Sequence, residues 1–358
     1  KLLACFGSPQ AVFEQSEATL AQVVSPKQAQ ALVNVPNELA VQCVRTHQWL
    51  AHQPDTHSHA LWTLGDPHYP AELLQLDDPP LLLYATGQTE RMLGNAVSVV
   101  GSRNPTPQGA QTAEQFGEAL CTAGLCVVSG LALGVDGAAH TGALRGGKTR
   151  EASHWHTVAV VGTGLDRVYP SKHKVLADRI TRQGLILSEY PLGTPPLAHN
   201  FPKRNRLIAA LGLGTLVVEA ALKSGSLITA KMALELNREV LAIPGSIHAT
   251  QSHGCHALIR QGAKLVENAQ DVLEELQLAP QQQVQLFSDS LGTDTDSEHD
   301  ALEHPLLAHM GFDPVNLDAL QARCGLDTAT MQAQLLTLEL DGMVGRLPGG
   351  LFQRLARA

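Results

Sequence analysis

The densest cationic run of the chain is Phe201-Pro202-Lys203-Arg204-Asn205-Arg206, three positive side chains within four residues beside one aromatic ring. It follows a loop and opens a helical pattern. Cations at a helix N-terminus oppose the helix dipole, so their presence there points to an anion that they must meet. A phosphate backbone with one stacked base would satisfy the pair of residue types. Gly101-Ser102-Arg103-Asn104-Pro105-Thr106-Pro107 lies between an apolar strand pattern and a helix. Gly101 admits a close neighbour, the helix start offers N–H groups, and Arg103 carries a planar fork suited to a phosphate. Lys223-Ser224-Gly225-Ser226-Leu227-Ile228-Thr229 brackets another strand end, where Gly225 and Ser226 can cap a helix or hold a phosphate. Gly130, after Ser129, ends a further strand at the same side. Lys148, Arg167, Lys172 and Lys174 are expected to extend the patch.

Other chemistries fail on context. Gly142-Ala143-Leu144-Arg145-Gly146-Gly147-Lys148-Thr149 satisfies the P-loop pattern, but a helical stretch precedes it and a strand follows, the inverse of what a P-loop needs. Gly101 lacks the Gly-x-Gly-x-x-Gly spacing, and no acidic residue follows Ser129-Gly130 to hold a ribose, which excludes a dinucleotide cofactor. The sixteen histidines show no metal-ligand spacing. No Gly-x-Ser-x-Gly elbow exists. Asp136, Asp166, Glu189 and Glu219 fall near strand ends, where they can order loops through N–H groups as well as act as acids or bases. No catalytic residue, metal or cofactor is assigned.

These loops need a scaffold. Apolar runs at Ala96–Val100, Leu125–Ser129, Val158–Val161, Leu185–Ser188, Thr215–Val218, Val240–Ile243 and Lys264–Val266 read as buried parallel strands, nearly all separated by helical segments. Thr106 and Pro107 form an N-cap and first-turn pair. The alternation predicts an α/β fold, a Rossmann-like doubly wound, mostly parallel sheet whose ligands bind at the strands' carboxyl ends. Residues 1–85 are expected to form a small helical domain with a loop-rich connector and one strand near 81–84, and residues 86–278 the Rossmann-like domain. Residues 279–300 have the polar, acidic composition of a linker. Residues 301–358, with three helical patterns and a hairpin around Pro348-Gly349-Gly350, read as a winged helix.

The chain of 358 residues carries net charge −9, unevenly distributed. Residues 95–280 hold 17 Lys/Arg against 14 Asp/Glu, between acidic flanks of net −5 and −7. A basic middle suits phosphate even in an acidic chain. The six scattered cysteines read as reduced thiols, and neither a membrane span nor a signal peptide is expected, which fits the cytosol.

The ordered motifs Val100-Gly101-Ser102-Arg103, Ser129-Gly130-Leu131-Ala132-Leu133-Gly134-Val135-Asp136-Gly137-Ala138-Ala139-His140, Gly162-Thr163-Gly164-Leu165-Asp166-Arg167-Val168-Tyr169-Pro170, Phe201–Arg206 and Ser224–Ala230 resemble the DNA-processing protein A family. Motifs carry the resemblance over residues ~95–275, and architecture carries it elsewhere. It implies a non-enzymatic homodimer, joined through the Rossmann-like domain. Such a protein binds single-stranded DNA entering during natural transformation, protects it and helps load the RecA recombinase. It also implies that Arg103, Phe201, Lys203, Arg204 and Asn205 line the DNA pocket. Two features depart from the family. Residues 150–156 look like an inserted surface loop, and the recognition-helix pattern Asp327–Asp341 lacks Lys and Arg, so the winged helix is expected to be dispensable for the main DNA contact. The rival reading is a nucleoside-phosphate hydrolase of the lysine-decarboxylase-like superfamily. Leu211–Glu219 lacks its Pro-Gly-Gly and sets the Glu one residue late, on the other face of a strand. A third, a winged-helix transcription factor, conflicts with the uncharged recognition helix.

Overall fold

The computed structural model describes residues 1–147, 154–278, 304–311 and 314–355. Residues Lys1–His52 form one compact unit and the rest a second. The first is helical throughout: α1 (Leu2–Phe6), α2 (Pro9–Phe13), α3 (Glu17–Leu20), α4 (Pro26–Val33) and α5 (Glu38–Ala51). Serine caps at Ser8, Ser16 and Ser25 start α2, α3 and α4, and Val12, Leu20 and Ala29 make its small core.

The second unit is built on a nine-stranded sheet. Its elements are β1 (Ser58–Thr63), β2 (Leu82–Gly87), β3 (Ala96–Val100), α6 (Pro107–Thr122), β4 (Cys126–Ser129), α7 (Val135–Gly146), β5 (Thr157–Val160), α8 (Lys174–Gln183) and β6 (Leu185–Ser188). These are followed by α9 (Asn200–Leu211), β7 (Gly214–Val217), α10 (Ser226–Glu235), β8 (Glu239–Ala242), α11 (His253–Arg260), β9 (Lys264–Leu265) and α12 (Ala269–Glu275). The strand order is β1-β2-β6-β5-β4-β3-β7-β8-β9, parallel from β6 to β9. The order reverses between β3 and β7, the place where a doubly wound sheet opens a crevice. Burial on both faces explains the unbroken apolar runs. Val97 and Val99 of β3 pack with Phe116 and Leu120 of α6, while Ala96 and Val100 pack with Leu207 and Ile208 of α9. Hydroxyls among these strands are satisfied by carbonyls: Ser98 Oγ donates to Ile208 O and Ser129 Oγ to Val99 O, each at 2.6 Å.

Two expectations change. The N-terminal unit ends at His52, and the connector and the strand expected near 81–84 belong to the second unit, where β1, which was not expected, pairs with β2 and extends the edge of the sheet beside β6. The alternating pattern of β1 went unread among histidines. The inserted loop at 150–156 is not all surface. Trp155 is buried and its indole N–H donates to Gln88 O at 2.7 Å, and His156 is buried too, while Arg150–Ser153 lie outside the described residues. In the P-loop look-alike, Gly142–Gly146 form the last turns of α7, as the context test required. The linker at 279–300 lies outside the described residues.

The C-terminal region holds α13 (Pro305–Met310), β10 (Val315–Asn316), α14 (Leu317–Cys324), α15 (Thr328–Leu340), β11 (Val344–Leu347) and β12 (Leu351–Arg354), with the strands ordered β10-β12-β11. This is a winged helix around Leu306, Leu320, Met331, Leu335 and Phe352.

Candidate nucleic-acid interface

A cavity of about 480 Å³ opens at the switch point between β3 and β7. Gly101, Ser102 and Arg103 line it from the loop after β3. Phe201, Arg204 and Asn205 enter from the first turn of α9, and Lys223, Gly225 and Ser226 from the loop into α10. Three of the sequence motifs therefore meet in one place, although about 100 residues separate the first from the second.

The motif residues divide into those that build the wall and those that face the space. Ser102 builds: its N–H donates to Glu219 O and its Oγ accepts from Asn104 N at 3.1 Å. A Cβ at Gly101 would collide with the Val135 side chain, so the glycine there serves packing of α7. Gly130 also builds, and the structure corrects its expected role. It is buried, its N–H donates to Asp136 Oδ2, and a side chain there would strike the Arg204 guanidinium. Ser224 and Ser226 hydroxyls bond each other at 2.7 Å.

Two of the expected cations at the start of α9 are not free. Arg204 is 3% exposed and donates from Nη1 to the carbonyls of Gly130 and Val160, at the carboxyl ends of β4 and β5. Burial pulls its guanidinium down to about 10, with Asp136 opposing the shift. Arg206 is paired with Glu189, both largely buried. These cations at the start of α9 do meet negative groups, but internal ones. Lys203 is exposed and does not line the cavity. Arg167 pairs with Asp166, and Lys172 and Lys174 are exposed but away from the cavity lining. Lys148 lies outside the described residues.

Arg103 and Lys223 remain. Both are exposed, both line the cavity, and among the described residues neither forms an ion pair. The Arg103 guanidinium sits 5.8 Å from the centroid of the Phe201 ring, a cation–π distance. Asn200 Nδ2 donates to Gly162 O at 3.0 Å and so sets the start of α9; the Phe201 ring rests on Gly162. Lys223 was overlooked as a site residue because it reads as an ordinary loop lysine; the helix start just after it was the available signal.

The helix start at α6 is not open. The Glu219 carboxylate accepts from Thr106 N at 2.9 Å and from Thr106 Oγ1 at 2.6 Å, and occupies the space that a side chain at Gly109 would fill. Burial pushes Glu219 above the ordinary glutamate range, and the Thr106 bonds partly oppose this. The expectation that this terminus binds the external phosphate therefore fails: an internal carboxylate already sits there. The other carboxylates near strand ends are engaged as well. Asp136 accepts from Gly130 N and Ala132 N, Asp166 from Gly193 N, and Glu189 faces Arg206.

Fold and cavity together define a class: a doubly wound α/β protein that presents unpaired cations and an aromatic ring at its switch point, followed by a winged helix. The chain belongs to the DNA recombination-mediator protein A family, whose model matches residues 60–277, and the winged-helix model of the same family matches residues 293–350. The chain is 41% identical over 312 residues to Protein Smf of Escherichia coli, covering 87% of this chain and 80% of that protein. It is 48% identical over 217 residues to the DNA processing protein DprA of Streptococcus pneumoniae, covering 60% and 74%. The solved structure of the Streptococcus pneumoniae protein superposes with a TM-score of 0.64 at 38% identity, over 76% of this chain and 91% of that one. A Helicobacter pylori DNA processing protein A structure, solved to explain a single-stranded DNA binding mode, superposes with a TM-score of 0.54 at 30% identity, over 61% and 95%.

Proposed function

We propose that this chain binds single-stranded DNA in the switch-point cavity during natural transformation, protects the strand and helps load the RecA recombinase onto it. The observation that carries the reading is the convergence of two unpaired cations, Arg103 and Lys223, with the Phe201 ring at one crevice. Phosphates meet the cations, and a base that is free to leave its neighbours meets the ring. Asn205, Gly225 and Ser226 complete the contact, and Lys203 adds long-range attraction from outside the cavity. The protein acts in the cytosol as a homodimer joined through the Rossmann-like domain, so that two cavities hold one strand with avidity. The single-stranded DNA binding mode named for the Helicobacter pylori relative supports the strand as ligand, and the RecA partner and the homodimer rest on the resemblance of the ordered motifs. Among the described residues no helix is long and apolar enough to cross a membrane.

The reading is of a binding protein rather than an enzyme. Each strand-end carboxylate already holds backbone N–H groups or an arginine. Glu219, the residue that a nucleoside-phosphate hydrolase would use, is bonded to Thr106 at the N-terminus of α6. Against a transcription factor stands α15, whose thirteen residues include no Lys or Arg.

Fluorescence anisotropy with labelled oligo-dT and a matched duplex, across a salt series, tests the reading. Binding should favour the single strand and fall steeply with salt, because it is dominated by phosphate contacts. Absence of single-strand binding, together with release of free base from a nucleoside monophosphate, would replace this reading with the hydrolase.

A further inference from the structure

Aromatic residues make up 4% of the chain, and among the described residues half of their rings are buried. Trp62, Trp155, Tyr69 and Tyr84 are buried, and Tyr190 is half-buried with its hydroxyl donating to Asn200 O. Among the described residues the aromatic rings most open to solvent are Phe13, in the N-terminal helical unit, and Tyr169, which is 47% exposed. Tyr169 lies in the loop after β5. It does not line the cavity, but its ring centroid is 5.5 Å from that of Phe201, the two planes tilted by 43°. Phe201 in turn carries Arg103 at its ring. Guanidinium, phenyl and phenol thus form one continuous row that runs from inside the cavity to the outer surface.

The loop that presents Tyr169 is held in place. Asp166 Oδ1 accepts from Gly193 N at 2.7 Å, and Gly164 N donates to Thr194 O at 3.1 Å, which ties this loop to the one after β6. Beyond Tyr169 the chain continues into the exposed cations Lys172 and Lys174. A large ring held at the surface by a braced loop, in contact with the cavity's own ring and followed by cations, has the composition of a single-strand track: a π-face for a base, with positive charge for the next phosphate.

We propose that Tyr169 is a second base-stacking subsite, taking the nucleotide next to the one held at Phe201, and that it directs the strand out of the cavity toward Lys172 and Lys174. The inference rests on the single-strand reading above and adds a direction and a second base contact to it. It also explains why cations that do not line the cavity lie on this side of the sheet.

The test compares two strands of equal length on the full chain: oligo-dT, and an oligomer made wholly of abasic tetrahydrofuran units, which keeps the phosphates and removes the bases. Wild type, Tyr169→Ala, Tyr169→Phe and Arg103→Ala are titrated by anisotropy. Tyr169→Ala should weaken oligo-dT binding about tenfold, in the range of one base–aromatic stack, and leave the abasic strand unchanged. Tyr169→Phe should match wild type, since the π-face does the binding. Arg103→Ala should weaken both strands. Equal losses on both strands for Tyr169→Ala would make the ring merely structural and overturn the subsite. No loss on either strand would overturn it too, while the Arg103 effect would leave the cavity reading standing. If wild type bound neither strand, the cavity reading itself would fall.

Discussion

Two helices begin at the same crevice, α6 and α10, and they treat their N-termini in opposite ways. The first turn of α6 is capped by Thr106 and closed by the half-buried Glu219 carboxylate. The first turn of α10 begins at Gly225 with no acidic residue, its first N–H groups donate only to the neutral oxygens of Ser224 and Gly225, and its loop lines the cavity beside Lys223. Both helix ends carry the same partial positive charge. One is neutralised by a carboxylate of the fold, while the other meets only neutral oxygens of its own turn beside the cavity. The lesson is that an anion-ready helix start identifies a site only after the internal anions have been placed.

The largest effect should come from the two cations of the cavity that form no ion pair, Arg103 in the loop before α6 and Lys223 in the loop before α10. Arg103→Ala combined with Lys223→Ala removes two charge-assisted contacts, and single-strand affinity should drop about a hundredfold. The slope of log affinity against log salt should flatten by between one and two units in the same titration. Unchanged affinity would mean that the switch-point cavity is not the binding site.

On the closed side, Glu219→Gln should cost about 2 kcal/mol of stability, the loss of charge-assisted bonds to the α6 cap. Denaturant unfolding reads this directly. Single-strand affinity should stay within about twofold of wild type, since the carboxylate serves the fold. A marked gain in affinity would show that α6 also takes a phosphate once its carboxylate is neutralised, and would erase the contrast between the two helices.

The sharpest comparison is to give α10 the carboxylate that α6 has. A Cβ at Gly225 meets no atom within 4 Å, so Gly225→Asp fits without displacement. Stability should change by less than about 0.5 kcal/mol, as at most exposed sites. Single-strand binding should weaken about tenfold, because a negative charge now sits where phosphate would. Retained affinity would move the phosphate contact away from α10.

The smallest effect is expected from the winged helix, although its Gly345 packs on Pro107 at the start of α6. Truncation after Leu278 removes the winged helix, whose α15 carries exposed Leu336 and Leu340 where a groove-reading helix needs cations. Oligo-dT affinity should change by less than about twofold in anisotropy. A large loss would place part of the main interface in that domain.

Much of this architecture was legible because its causes are local. Strands buried on both faces must be apolar without alternation, and β3 to β8 were readable within a residue or two for that reason. Thr106-Pro107 announced the start of α6 through its own cap chemistry. The edge strand β1 was missed because half-exposed positions such as His59 dilute its pattern, and only pairing with β2 makes it a strand.

What the amino-acid order determined by itself was the sheet, the winged helix and the clustering of glycine-rich and cationic motifs at strand ends. Which cations remain available was decided only by the tertiary structure. Lys203, Arg204 and Arg206 are near-neighbours in sequence with similar charge, yet one is solvated, one donates to carbonyls at Gly130 and Val160, and one pairs with Glu189. Lys223, with no such cluster around it in sequence, lines the cavity. The physical reason is that a charge is neutralised by whatever lies within a few ångströms. For Arg204 those partners come from residues 44 and 74 positions away along the chain, brought together only by the parallel sheet.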